Sequence, residues 1–154
     1  MTEGITRGTA LRAARGRLAH VETPARDARD LMRHVLGIDS ATLIATERDP
    51  LPPAENARFE AAIARRAAHE PVSKIVGHRA FYGLEFAVTR AVLDPRADSE
   101  TLIDAAREMA GNARRILDLG TGSGCLLLTL LHHLPDATGV GVDASEAALT
   151  VARG

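Results

Sequence analysis

The sequence predicts an α/β chain, a small helical bundle followed by a parallel βαβ unit, and three observations carry that expectation. Apolar residues recur at helical spacing up to about residue 70, separated by proline and glycine breaks. The run Arg115-Ile116-Leu117-Asp118-Leu119-Gly120-Thr121-Gly122-Ser123-Gly124 reads as an apolar strand with an acidic residue near its end and three alternating glycines, followed by an apolar helical stretch from Cys125 to Leu134. A second strand over residues 137–142 ends at Asp143, nineteen positions after Gly124. That is about the separation at which an acidic side chain in a nucleotide-binding βαβ unit reaches ribose hydroxyls.

In chain order, Leu11, Ala14, Leu18 and Val21 mark a first, shallowly buried helix from residue 9 to about 21. Thr23-Pro24 supplies an N-cap and first helical residue for a second, whose stripe Ala28, Leu31, Met32, Val35 and Leu36 stops at Gly37. Ser40 caps a third, short helix through Leu43 and Ile44. The segment from Pro50 to Pro53 precedes a fourth with Phe59, Ala62, Ile63, Arg66 and Ala67 on one side. Four helices with short loops suggest a bundle up to about Glu70. Pro71 breaks the pattern, and the aromatic and β-branched residues between Val72 and Val88 read as a hairpin or extended connector around Gly83. After a polar segment, Leu102, Ile103, Ala106, Met109 and Ala110 define a helix capped by Asp98 or Ser99 and closed by Gly111. Strand 115–119, helix 123–134, strand 137–142 and a helix from about Ser145 complete the order.

Composition narrows the function. The 154 residues carry a formal charge of −1 and a pI near 6.6, which gives no electrostatic case for nucleic acid or an anionic membrane as partner. Aromatic residues make up 3%, too few for a base-stacking surface. No apolar stretch approaches the roughly 20 residues needed to span a bilayer. The single Cys125 cannot form an internal disulfide, and the N-terminus has no apolar signal segment, so the expected setting is the cytoplasm.

The chemistry concentrates around the glycines. Without a Cβ, they tolerate positive φ and let a ligand lie against main chain, and the helix that follows offers free N–H groups and a positive dipole end. Residues 118–124 have the form D-x-G-x-G-x-G rather than the dinucleotide form G-x-G-x-x-G. In the dinucleotide alignment the third glycine falls on Cys125, bulkier than the Gly or Ala that close helix–strand contact requires. Asp118 also favours a ligand with an ammonium and a sulfonium, as in S-adenosylmethionine, over a pyrophosphate it would repel. Asp143 either binds ribose or serves as a loop residue and cap for the next helix.

Taken together, Asp27 to Gly37, the series Arg65-Arg66, Glu70-Pro71-Val72, Ile75-Val76-Gly77 and Phe81, the segment from Asp94 to Thr101, and Leu117 to Gly124 resemble the HemK/PrmC family, glutamine N-methyltransferases that modify peptide-chain release factors. The resemblance covers nearly the whole chain. It implies a helical N-terminal domain over residues 1–75 that helps recognise the release factor, a hairpin linker over 76–97, and the first part of a Rossmann-like methyltransferase domain over 98–154. It further implies that Gly120, Thr121, Gly122, Ser123 and Gly124, with Asp118, border S-adenosylmethionine, that Asp143 holds its ribose, and that the full-length protein is a monomer. The family's connector reads Pro-Arg-Pro-Asp-Thr-Glu, where this chain has Ala97 for the second proline and Ser99 for the threonine. Its Asn-Pro-Pro-Tyr motif, which orients the acceptor amide, occurs nowhere in these 154 residues. The catalytic residues are therefore unassigned, and the stretch is expected to be inactive alone.

Two rival functions remain: a non-catalytic binding module for release factor or ribosome, and a nicotinamide enzyme. Arg96, Asp98 and Glu100 either line the cofactor pocket or charge the start of the following helix. The six histidines, His132 and His133 among them, have no carboxylate or cysteine at metal-ligand spacing, so no metal is expected. Cys125 reads as packing, and the pairs Arg65-Arg66 and Arg114-Arg115 as exposed flanks. Leu117, Leu119, Val140, Val142 and the run from Leu126 to Leu128 are more apolar than so short a sheet can cover. That predicts a truncated second domain, with a stable helical part and a loosely ordered or associating C-terminal third.

Overall fold

A computed structural model describes residues 4–154, and the chain divides into two units, Met1–Val76 and Gly77–Gly154. The expected lack of a signal segment starts at residues 1–3, which lie outside the described residues.

The first unit is helical: α1 (Arg7–Arg17), α2 (Pro24–Leu36), α3 (Ser40–Ala45), α4 (Pro53–Ala67) and α5 (Val72–Val76). The sequence pattern gave four helices. The fifth arises because Pro71 starts a turn as well as ending one, its carbonyl accepting from the N–H groups of Lys74 and Ile75 at 3.0 and 3.1 Å. α1 begins two residues earlier than expected, where the Thr6 hydroxyl accepts from Thr9 N–H at 3.2 Å. Its burial is not shallow: Ala10, Ala14 and Leu18 are fully enclosed. Alanine contributes little apolar contrast, so a face built for close helix contact looks weak by periodicity.

Caps were displaced by one residue at α3, where Asp39 rather than Ser40 accepts from Thr42 N–H at 2.7 Å. Thr23 holds the N-cap position of α2, but its hydroxyl donates to Asp27 at 2.7 Å instead of capping. Gly37 ends α2 in the left-handed region, φ 64°, as its position predicts. The core joins Leu18, Leu31, Met32, Phe59 and Ile63, with Val72, Ile75 and Val76 of α5 packed against it.

In the second unit β1 (His78–Phe81) and β2 (Leu84–Ala87) pair antiparallel, with Phe81 opposite Leu84. The two-residue loop Tyr82-Gly83 has φ of 49° and 79°, the mirror-image turn whose twist suits a hairpin. Phe81 and Phe86 enclose a small core with Ile103 of α6 (Glu100–Ala110). That helix has no side-chain cap from Asp98 or Ser99. A 3-10 turn over Ala97–Ser99 leads into it, and the carbonyls of Arg96 and Ala97 take the Ser99 and Glu100 N–H groups. Gly111 follows α6 with φ −61°, so it needs no left-handed cap.

β3 (Arg115–Leu119), α7 (Cys125–His133) and β4 (Thr138–Val142) form the parallel βαβ unit, and α8 (Glu146–Arg153) follows. Leu117 faces Val140 and Leu119 faces Val142 across the pair. One sheet face lies under α7: Leu127 is buried, and a Cβ added at Gly139 would stand 2.6 Å from its Cδ1. The opposite face is exposed at Leu117, Leu119, Val140 and Val142. Among the described residues no helix is long and apolar enough to cross a membrane.

Candidate functional site

Three glycines shape the turn from β3 into α7. Gly120, Gly122 and Gly124 have φ of 79°, 56° and 78°, values that side-chain-bearing residues rarely adopt. The third of these holds the N-cap position and sets α7 off from Cys125 rather than from residue 123. Gly120 and Thr121 both donate to the Val142 carbonyl, at 2.8 and 3.0 Å, and Gly124 donates to the Thr121 carbonyl at 2.8 Å. The loop is thus tied to the end of the neighbouring strand.

Both acidic residues singled out by the sequence act on this loop. The Asp118 carboxylate accepts from the Thr121 hydroxyl at 2.7 Å. Asp143, just past β4, accepts from Gly122 N–H at 2.9 Å with one oxygen and from Ser145 N–H at 2.8 Å with the other. These two backbone donors, that of Ser145 foremost, hold the Asp143 carboxyl below its ordinary range. Asp143 therefore steadies the entry to α8, where Ser145 caps Ala148 N–H at 3.2 Å, and also pins the glycine loop. Each of its oxygens keeps a second lone pair for a further donor.

The loop floors a cleft of about 400 Å³ whose walls include Val92, Leu93, Pro95, Leu126 and Ala148. Its charged lining is Asp94, Asp118 and Asp143 against Arg96. Arg79 stands 3.9 Å from Asp94, so Asp118 and Asp143 carry most of the cleft's negative charge, which favours a ligand bearing positive charge over a pyrophosphate. A Cβ built at Gly120 or Gly122 meets nothing within 4 Å, so the bare main chain at these two positions leaves open space for a ligand. The residues present fit a sulfonium nucleoside.

Of the connector residues, Arg96 and Ser99 line this cleft; Glu100 instead accepts from Tyr82 N–H at 2.9 Å and fixes the hairpin turn. The Tyr82 hydroxyl donates to Asp104 at 2.5 Å and accepts from Arg107 at 2.8 Å, and its ring meets His133 edge-on at 5.2 Å. Nothing in the sequence pattern marked this cluster, since its members are 18 to 25 positions from Tyr82 along the chain for Glu100, Asp104 and Arg107. His132 and His133 pack edge-on at 5.1 Å, and among the described residues no group of three ligating side chains could hold a metal. Burial pushes the Cys125 thiol up, away from nucleophilic readiness.

Arg114 pairs with Asp136 at 2.8 Å on an exposed flank, as expected, but Arg66 does not belong on a flank. Its Nε meets the buried Asp27 at 2.6 Å. Arg65 forks onto Glu70 through two 2.7 Å bonds. A second hollow of about 280 Å³ lies before β3 and β4, between Gly111–Arg114 and His133–Asp136, at the ends of the strands opposite to the glycine loop. Ligands of open α/β sheets gather at the carboxyl ends, which favours the larger cleft.

Residues 9–77 match the family model of the PrmC N-terminal domain. A release factor glutamine methyltransferase of Cereibacter sphaeroides is 53% identical over 145 residues, 93% of this chain and 51% of the relative. Over nearly its whole length the chain is similar to that methyltransferase. Proteins of the same name from Rhodospirillum rubrum and Bradyrhizobium diazoefficiens are 47% and 46% identical over 91% and 92% of the chain, covering 43% and 50% of their own lengths. The chain thus spans about half the length of the curated relatives it matches. At 93% coverage the alignment takes in both the helical unit and the glycine loop.

Proposed function

We propose that this chain supplies the S-adenosylmethionine side of a methyltransferase acting on the glutamine side-chain amide of peptide-chain release factors. The observation that carries the proposal is the acidic cleft over the glycine loop, in a chain whose relatives bear that name. When bound, S-adenosylmethionine supplies a methyl group activated by a sulfonium. Gly120, Gly122 and Gly124, with Thr121 and Ser123 between them, present their backbone to it, Asp118 favours its positive charge, and Asp143 takes ribose hydroxyls on the lone pairs its two backbone donors leave. Arg96, exposed on the cleft wall, suits the carboxylate of the amino-acid moiety.

On this proposal the second unit is the start of a Rossmann-like catalytic domain of a cytoplasmic, monomeric enzyme of translation termination, and the helical unit, residues 1–75, helps recognise the release factor. The segment 76–97 is the linker between them. Alignment of amide nitrogen with sulfonium is most of what an SN2 methyl transfer requires. No Asn-Pro-Pro-Tyr segment is present to hold that amide, so the 154 residues bind the methyl donor without turning it over. A second reading is a non-catalytic module that binds release factor or ribosome through the helical unit.

Calorimetric titration of the chain with S-adenosylmethionine and with NAD separates these. Heat with the methyl donor that weakens in Asp143→Ala supports the cofactor site. Tight NAD binding rejects it, and silence with both ligands together with capture of release factor leaves the binding module.

A further inference from the structure

We propose that Thr121 and Gly141 form an interlock that sets the position of the glycine loop, which makes Gly141 a positioning residue of the cofactor site; the proposal rests on the cofactor reading above. Gly141 sits directly opposite Asp118 in the β3–β4 register, on the sheet face that α7 covers. Its φ lies outside the left-handed region, so backbone conformation does not demand glycine there. Space does. A Cβ at Gly141 would stand 2.8 Å from Thr121 Oγ1 and 3.0 Å from both its Cβ and Cγ2.

Thr121 cannot step aside. Its side chain is β-branched and stiff at χ1, its hydroxyl is committed to Asp118 at 2.7 Å, and its N–H to Val142 at 3.0 Å. It is also buried. A loop residue thus drops into the hole left by a missing side chain on the next strand, and Asp118 holds it down. Gly122, the next residue, then meets Asp143 at 2.9 Å. Filling the hole lifts Thr121 and takes Gly122 away from Asp143, so the floor of the cleft moves.

Gly139 provides the comparison. It lies on the same strand and the same face, but an added Cβ there meets Leu127 Cδ1 at 2.6 Å and Leu131 Cδ1 at 3.1 Å, the tips of flexible helix side chains far from the loop. Gly139→Ala therefore perturbs packing of α7 on β4, whereas Gly141→Ala perturbs the loop.

The test measures S-adenosylmethionine affinity, thermal stability and exchange of the Gly122 amide hydrogen in Gly141→Ala, Gly139→Ala, Thr121→Ala and the double variant Thr121→Ala/Gly141→Ala. Expected are about a tenfold loss of affinity and faster Gly122 exchange in Gly141→Ala, with less than about a threefold loss in Gly139→Ala. In the Thr121→Ala background, adding Gly141→Ala costs less than about threefold more, because the atoms it would strike are mostly gone. Equal losses in Gly139→Ala and Gly141→Ala, or additive losses in the double variant, overturn the interlock. If the unaltered chain binds no S-adenosylmethionine, the cofactor reading falls on its own, and exchange decides the interlock: Gly122 protection unchanged in Gly141→Ala and Thr121→Ala overturns it. Should Gly141→Ala not fold, Thr121→Ala carries the same measurement.

Discussion

In the helical unit Leu31, Met32, Phe59 and Ile63 are wholly enclosed, while in the βαβ unit Leu117, Leu119 and Val140 remain 63%, 74% and 60% exposed. Both sets are apolar and both were placed in regular elements by sequence pattern. The difference is in what closes them. A bundle of short-looped helices finds partners within a few dozen residues, so α1, α2 and α4 seal one another. A parallel strand pair has two faces, and α7 covers only one. The first unit is therefore governed by its core, and the second by main-chain ties such as those of Asp143 and the Val142 carbonyl to the glycine loop.

That contrast can be broken most forcefully in the helical core. Phe59→Ala is expected to cost about 4 kcal/mol of the first unit's stability by denaturant titration, as for other large-to-small changes of enclosed rings, while amide exchange in β3 and β4 stays unchanged. Asp27→Ala takes the paired carboxylate from the Arg66 guanidinium, 17% exposed, and leaves it the Glu70 carbonyl at 3.3 Å, so a loss of about 3 kcal/mol should appear in the same titration.

A smaller change should act in the opposite direction in the second unit. Thr129 is fully buried in α7 with no partner for its hydroxyl among the described residues, so Thr129→Val should stabilise by about 1 kcal/mol in a melting experiment. On the open face, Leu117→Thr and Val140→Thr should move stability by no more than about 0.5 kcal/mol, yet shift sedimentation toward monomer if that face drives association. An unexpectedly large loss of stability there would mean the face is covered in solution.

The gentlest probe is pH. Because the folded Asp143 carboxyl is held below its ordinary value, its anchoring of Gly122 and Ser145 is complete above about pH 3.9, the usual Asp midpoint, and is lost as pH falls through the lower folded value. Gly122 amide protection should fall with it in Asp143 but be pH-independent in Asp143→Asn, which keeps an acceptor without the charge.

Much of the architecture was legible because it is local. Gly37 after a 3.6-residue stripe, Tyr82-Gly83 between two strand-like runs, and the alternation of Gly120, Gly122 and Gly124 each announce a backbone conformation within a few residues. Where local signals were ambiguous they misled: Pro71 read as a breaker and acted as an initiator, and the alanines of α1 hid a fully buried face. Arg66 looked like an exposed flank because its partner, Asp27, lies 39 positions away.

Within the site, periodicity placed Asp118 and Asp143 at strand ends, and the lack of a paired histidine gave Cys125 to packing. It could not give the direction of their bonds. That Asp143 reaches back 21 residues to Gly122, that Thr121 fills the space over Gly141, and that Tyr82 is held by Glu100, Asp104 and Arg107 depends on which strands and helices come to lie side by side. The sequence by itself determined the elements, the bare turn and the charges near it, since propensity, φ preference and charge are properties of single residues and their neighbours. Only the tertiary structure decided the pairings, because hydrogen bonds and steric fits act through space over about 3 Å, however far apart along the chain their partners lie.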